Sequence, residues 1–185
     1  MYTPKQALQK LIAGNEIYRT AGTNTAEISP EIRRETALAG QKPYAVVLTC
    51  SDSRVPPEHI FSAGIGELFV IRTAGNVVGP FELGAIEYGV EHLRAPLILV
   101  MGHTRCGAVA AATAGRAEGY VKCVMEEIQE GLRCPSGETQ AILDNIFHSR
   151  DKITQSETVR QLLSAGSLEI ACAVYNTETG QVDFL

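Results

Sequence analysis

Long apolar runs are missing from these 185 residues. No stretch approaches the roughly 18 consecutive apolar residues of a transmembrane helix, so a membrane span is not expected. Met1 to Thr20 mixes charged with apolar residues and lacks the apolar core, about 7–15 residues long, of a secretory leader. Excess positive charge is missing too: 16 Lys and Arg stand against 21 Asp and Glu, the net charge is -5, and no basic cluster occurs. Nucleic acid and acidic membrane surfaces, which draw on clustered cations, are therefore not expected partners. Cysteines are few and odd in number, at positions 50, 106, 123, 134 and 172, which excludes complete pairing and argues for a reduced, cytoplasmic chain. Internal repeats, low-complexity tracts and tryptophan are all absent.

What is present suffices for one compact core, since 45% of the residues are hydrophobic. Residues 1–185 read as a single domain with a helical arm over 1–40, a central part over 41–112, and helices and edge strands over 113–185. Thr3 and Pro4 suit the start of an amphipathic helix that carries Ala7, Leu8, Leu11 and Ile12 and runs to about Arg19. A polar linker, Gly22 to Ser29, precedes a second helix opened by Pro30. Tyr44–Thr49, Leu68–Ile71 and Pro96–Met101 are short continuous apolar runs, the pattern of buried parallel strands, and Phe81–Leu93 between the last two is helical in spacing. Helices are expected over Gly119–Gly131, Glu138–His148 and Glu157–Leu163. A strand follows over Leu168–Tyr175, with a returning strand over Val182–Leu185. The fold class is α/β: a mostly parallel central sheet flanked by helices, with a C-terminal antiparallel edge hairpin.

Two polar clusters follow strands: Cys50-Ser51-Asp52-Ser53-Arg54 and His103-Thr104-Arg105-Cys106-Gly107. Together they offer two thiolates, an imidazole and a carboxylate, a tetrahedral set for zinc. Cys50 and Asp52 are two apart at a strand end, and His103 and Cys106 are three apart, about one helical turn. Sites in open α/β sheets form beyond the carboxyl ends of strands, so the clusters meet if their strands are neighbours. The small-residue helix from Cys106 to Ala112 would also point backbone N–H groups toward an anion. Alone, a strand-end cysteine is usually a small core residue; the conjunction of both clusters with Asp52 and Arg54 is what points to a site. Cys172 lies in an apolar strand and reads as core, Cys123 and Cys134 as thiols without a role, and His59, His92 and His148 as satisfied or surface histidines without a ligand partner nearby.

Cys50-Ser51-Asp52-Ser53-Arg54-Val55-Pro56-Pro57-Glu58, Glu67-Leu68-Phe69-Val70-Ile71-Arg72, Ala74-Gly75-Asn76, Ala85-Ile86-Glu87-Tyr88 and Gly102-His103-Thr104-Arg105-Cys106-Gly107 resemble the β-class carbonic anhydrases, densely over residues 41–112. The resemblance implies a zinc enzyme, with one Zn2+ per subunit, that hydrates carbon dioxide reversibly to bicarbonate and a proton through zinc-bound hydroxide. Cys50, His103 and Cys106 would be fixed ligands. Asp52 would be a fourth ligand or, in the active arrangement, the catalytic partner of Arg54. Two thiolates neutralise the ion where three imidazoles do not, so weaker acidification of bound water is expected.

The resemblance also assigns a substrate pocket to Gln41, Phe69, Ala74, Tyr88, Gly102 and Gly107. Gln41 matches a glutamine that binds bicarbonate, and Phe69 and Tyr88 match residues that family members contribute from a partner subunit. Ala74 stands where a larger aliphatic is common. A homodimer or tetramer is implied, with the N-terminal arm a candidate for wrapping the neighbour. Val47 stands where some bacterial members carry the tryptophan of a regulatory bicarbonate site, so the plant-like type is favoured. The alternatives are a CS2 or COS hydrolase on the same site and a catalytically silent zinc or bicarbonate binder; a structural zinc module would leave Arg54 unexplained.

Overall fold

Among the described residues five strands form one sheet in the order β2-β1-β3-β4-β5, built from β1 (Ala45–Cys50), β2 (Leu68–Thr73), β3 (Leu97–His103), β4 (Glu169–Tyr175) and β5 (Val182–Phe184). The computed structural model describes residues 2–21, 23–115, 117–133 and 137–185; Cys134 and Gly22 of the expected linker lie outside them. The first four strands are parallel and β5 is antiparallel to β4, as the apolar runs and the C-terminal hairpin pattern predicted. β1 and β3 are buried along their whole length, which is why they read as uninterrupted apolar segments. β1 lies directly beside β3, with Thr49 opposite Met101, so the two polar clusters emerge side by side.

The strands run further than the apolar pattern indicated. Cys50 and His103 are themselves the last residues of β1 and β3, and β3 passes straight through Gly102. That glycine has a packing reason: a Cβ there would stand 2.7 Å from Ile146 Cδ1, so α7 (Glu138–Ile153) rests directly on the strand backbone. The helix expected over Phe81–Leu93 is α4 (Pro80–Glu87), continued by a wider π-type turn over Tyr88–His92.

Two apolar layers cover the sheet. On one face α4, α5 (Gly107–Ala114), α6 (Val121–Gly131), α7 and α8 (Glu157–Ser164) pack on Val46, Leu48, Ile98, Val100 and the core residue Cys172. The other face is covered by α1 (Pro4–Ala21) and the short α3 (Pro57–Ile60), through Ala7, Leu11, Ile60, Val47, Leu97 and Leu99. α1 is therefore not a free arm. Its Thr3 and Gln6 cap each other's backbone N–H groups, at 3.3 and 2.9 Å. Its buried Asn15 donates to the carbonyls of Ile60 and Gly180 and accepts from Val182 N–H, which ties the helix to the C-terminal hairpin. Among the described helices only α2 (Pro30–Ala39), capped by Ser29, has no buried residue, and its Leu38 is 91% exposed. No described helix is long and apolar enough to cross a membrane.

Candidate metal centre

β1 ends in Cys50, and the chain then turns sharply. Asp52 Oδ1 accepts from the Arg54 backbone N–H at 2.9 Å, the side-chain-to-backbone bond that favours Asp in such turns. The same carboxylate is gripped by the Arg54 guanidinium at both oxygens, Nε to Oδ1 at 2.9 Å and Nη2 to Oδ2 at 2.7 Å. This two-pronged contact is the strong form of a charge-assisted hydrogen bond. The remaining reach of Arg54 Nη2 goes to the Arg105 carbonyl at 3.2 Å, joining the two clusters. Arg72 of β2 holds the other side of the turn, donating to the carbonyls of Cys50 and Asp52 at 3.1 and 2.6 Å. Sequence reasoning included Arg72 in a motif but gave it no role; its place one register step from Cys50, paired with Thr49, is the signal.

From the neighbouring strand end, His103 points into the same space with its side chain fully buried. Its Nδ1 lies 3.0 Å from the Thr104 carbonyl, which only accepts, so Nδ1 carries the proton and Nε2 presents a lone pair. Nε2 is buried and has no hydrogen-bond partner. Asp52 Oδ2 stands 3.9 Å from it. Cys106 precedes α5 as its N-cap, where the first free N–H groups of a helix converge.

Cys50, His103 and Cys106 are all buried, and their ligand atoms lie within 4.8 Å of one another. The Cys50 sulfur receives backbone donors, the N–H groups of Asp52 and Gly75 at 3.4 and 3.3 Å. The proximity of Cys106, opposed by burial and supported by His103 and the two N–H groups, lowers the Cys50 thiol well below its ordinary range. The proximity of Cys50, with burial, raises Cys106 above the ordinary thiol range. Burial works against a charged His103, but the Cys50 thiolate outweighs it and the net shift is upward. The Arg54 bonds hold the Asp52 carboxyl well below the usual carboxylate range despite partial burial. Two thiols, one of them acidified, and a neutral-capable imidazole with an orphaned lone pair fit a borderline-soft cation such as zinc.

Of the residues singled out in the sequence, the structure brings together Cys50, Asp52, Arg54, His103 and Cys106. Ala74 joins them, as the residue before the Gly75 donor and the first of a short 3-10 turn, Ala74–Asn76. Gly102 is buried beneath α7, and Gly107 is the first residue of α5, where an added Cβ would meet open space. Gln41, Phe69 and Tyr88 are not at this centre. Phe69 pairs with Val46 while Thr73 pairs with Cys50, a separation of about 13 Å at strand spacing. Tyr88 stacks beside Phe69 at 5.9 Å between ring centroids, and Gln41 precedes β1 altogether.

The histidine expectation needs one correction. His148 does have neighbours of ligand type: its Nε2 is 2.8 Å from Glu127 Oε1, and Glu130 completes the group. Lys152 already contacts both Glu127 oxygens at 2.6 Å, so this is an ion-paired cluster tying α6 to α7. Cys123 is exposed and Cys172 buried, as the strand and helix patterns indicated.

The profile of the family described as "Carbonic anhydrase" matches residues 45–182. "Carbonic anhydrase 2" of Mycobacterium tuberculosis is 35% identical over 189 residues, covering 96% of this chain and 91% of its own. Among solved structures, the β-carbonic anhydrase CafA of Aspergillus fumigatus superposes with a TM-score of 0.74 at 26% identity, covering 84% of this chain and 81% of that one. A structure described as one of two tetrameric β-carbonic anhydrases from Sordaria macrospora shares the fold, with a TM-score of 0.73 at 24% identity and 94% and 90% coverage.

Proposed function

The chain belongs to the β-class carbonic anhydrases, and on that premise we propose that it hydrates carbon dioxide reversibly to bicarbonate and a proton. In this reading a zinc ion, one per subunit, is held by Cys50, His103 and Cys106. A bound zinc supplies the positive charge that makes a water acidic enough to provide the hydroxide nucleophile near neutral pH. The observation that carries the reading is the buried His103 Nε2, without a hydrogen-bond partner, on a residue grouped with two buried cysteines and 3.9 Å from a carboxylate that Arg54 keeps occupied.

Each residue then has a task. The Thr104 carbonyl fixes the His103 tautomer, so that Nε2 is available as a donor atom. Backbone N–H groups of Asp52 and Gly75 neutralise part of the charge on the Cys50 sulfur. Asp52, ionised far below neutral pH, is an acceptor only; it orients the attacking water through a hydrogen bond and is too weak a base to carry the released proton away. Arg54 holds the carboxylate in that orientation and keeps it from closing onto the metal.

Gln41, Phe69 and Tyr88 complete the substrate pocket of a second subunit. The support is their distance from the centre of their own chain, together with the half-buried, apolar start of β2 on an open sheet edge. Carbon dioxide, without a net dipole, suits such an apolar wall. A dimer is then the smallest active unit. The test is stopped-flow CO2 hydration against pH on a sample whose zinc content is measured. The reading requires activity proportional to zinc, near one ion per chain; zinc-loaded protein without hydration overturns it.

A further inference from the structure

Two side chains of α7 reach the turn that donates to Cys50. We infer that Asn145 and Ser149 of α7 are positioning residues for Cys50, acting through the Gly75–Asn76 turn. The two stand four apart on one face of the helix, and each is only 1% exposed. Asn145 Nδ2 donates to the Gly75 carbonyl at 2.7 Å, and Ser149 Oγ donates to the Asn76 carbonyl at 2.9 Å. Asn76 Nδ2 approaches Ser149 Oγ in return at 3.4 Å.

The turn needs this support. Gly75 and Asn76 both have positive φ, 67° and 47°, which glycine adopts freely and asparagine more readily than other side-chain-bearing residues but still at some cost. What it achieves is an inward-pointing Gly75 N–H, 3.3 Å from Cys50 Sγ. Gly75 is thus held at both ends, its N–H by the sulfur and its carbonyl by Asn145. There is no slack around it either: a Cβ would stand 2.7 Å from Ile128 Cδ1 and 3.2 Å from the Ala108 Cβ. Polar residues inside the apolar stripe formed by Ala141, Ile142, Ile146 and Ile153 are otherwise hard to account for. An outer-shell hydrogen bond of this kind sets the charge and direction of a metal-ligating sulfur.

The inference rests on zinc binding at Cys50, so the parent protein is measured first, by chelator competition and by the thiolate-to-metal charge-transfer band after cobalt substitution. A parent that takes up neither metal overturns the zinc reading itself. With the parent loaded, Ser149→Ala and Asn145→Leu are expected to weaken zinc binding about 10-fold or more and to shift the cobalt band. Ser149→Thr, which keeps the hydroxyl, restores both. Ile153→Val, a purely apolar change on the same helix, lowers the melting temperature but leaves affinity and spectrum alone. Ser149→Ala is small enough to fold, and parental affinity with a parental spectrum in that variant overturns the positioning role.

Discussion

Arg54 is half exposed, yet it decides what Asp52 can do. Replacing it with alanine leaves Cys50, His103 and Cys106 in place, so zinc content is expected to persist while CO2 hydration falls about 100-fold; full activity in that variant would rule out the pairing. The pH consequence has a definite sign. A carboxyl lowered by its partner is ionised above its ordinary value and is protonated only as pH falls through the depressed one. Any loss of wild-type activity above about pH 4 therefore comes from another group. In Arg54→Lys, which keeps the charge but not the fork, Asp52 titrates closer to the ordinary range and the acid limb of the rate profile is expected to move upward. At this scale the sequence was most legible for side chains whose chemistry has few other uses, Cys50, His103, Cys106, Asp52 and Arg54. The backbone donors on the Cys50 sulfur, from Asp52 and Gly75, carry no residue-type signal and were not visible in it.

The elements were read from apolar spacing, and the discrepancies lie where spacing stops being informative. β3 continues through Gly102 because α7 needs a bare backbone there, whereas a glycine in a pattern reads as a stop. α1 has the stripe of a docked helix, Ala7 and Leu11, but a stripe does not say which chain it docks on. The structure puts both residues, fully buried, against this chain's own sheet. Leu11→Ala is therefore expected to cost about 2–5 kcal/mol of stability in urea denaturation. Leu38→Ala on α2 removes a side chain that touches little within one subunit, and its expected effect on the same measurement is below about 0.5 kcal/mol at concentrations where subunits are separate.

For the whole molecule, one chain brings Cys50, His103 and Cys106 together but leaves Phe69 about 13 Å away along the sheet, with Tyr88 beside it, which under the proposed function divides the substrate pocket between two subunits. Two inactive variants are then expected to rescue each other: Arg54→Ala damages the centre of its own subunit, and Tyr88→Ala with Phe69→Ala damages that of the partner. Mixed dimers contain one site intact on both counts, so random reassembly of equal amounts recovers about a quarter of wild-type sites. No recovery, in mixtures whose exchange is verified by sedimentation, would place Phe69 and Tyr88 outside the partner's site. Sheet order has a further effect, on when the site comes into being. Thr104, whose carbonyl sets His103, is anchored by its N–H to Tyr175 O at 2.9 Å, and its hydroxyl meets Thr177 at 3.1 Å. β4 is the fourth strand in the chain and starts more than sixty residues downstream of β3. The contacts that set His103 are therefore expected to form only once Thr177 has been made, and an ion held by Cys50, His103 and Cys106 is expected to be captured late, near the end of folding.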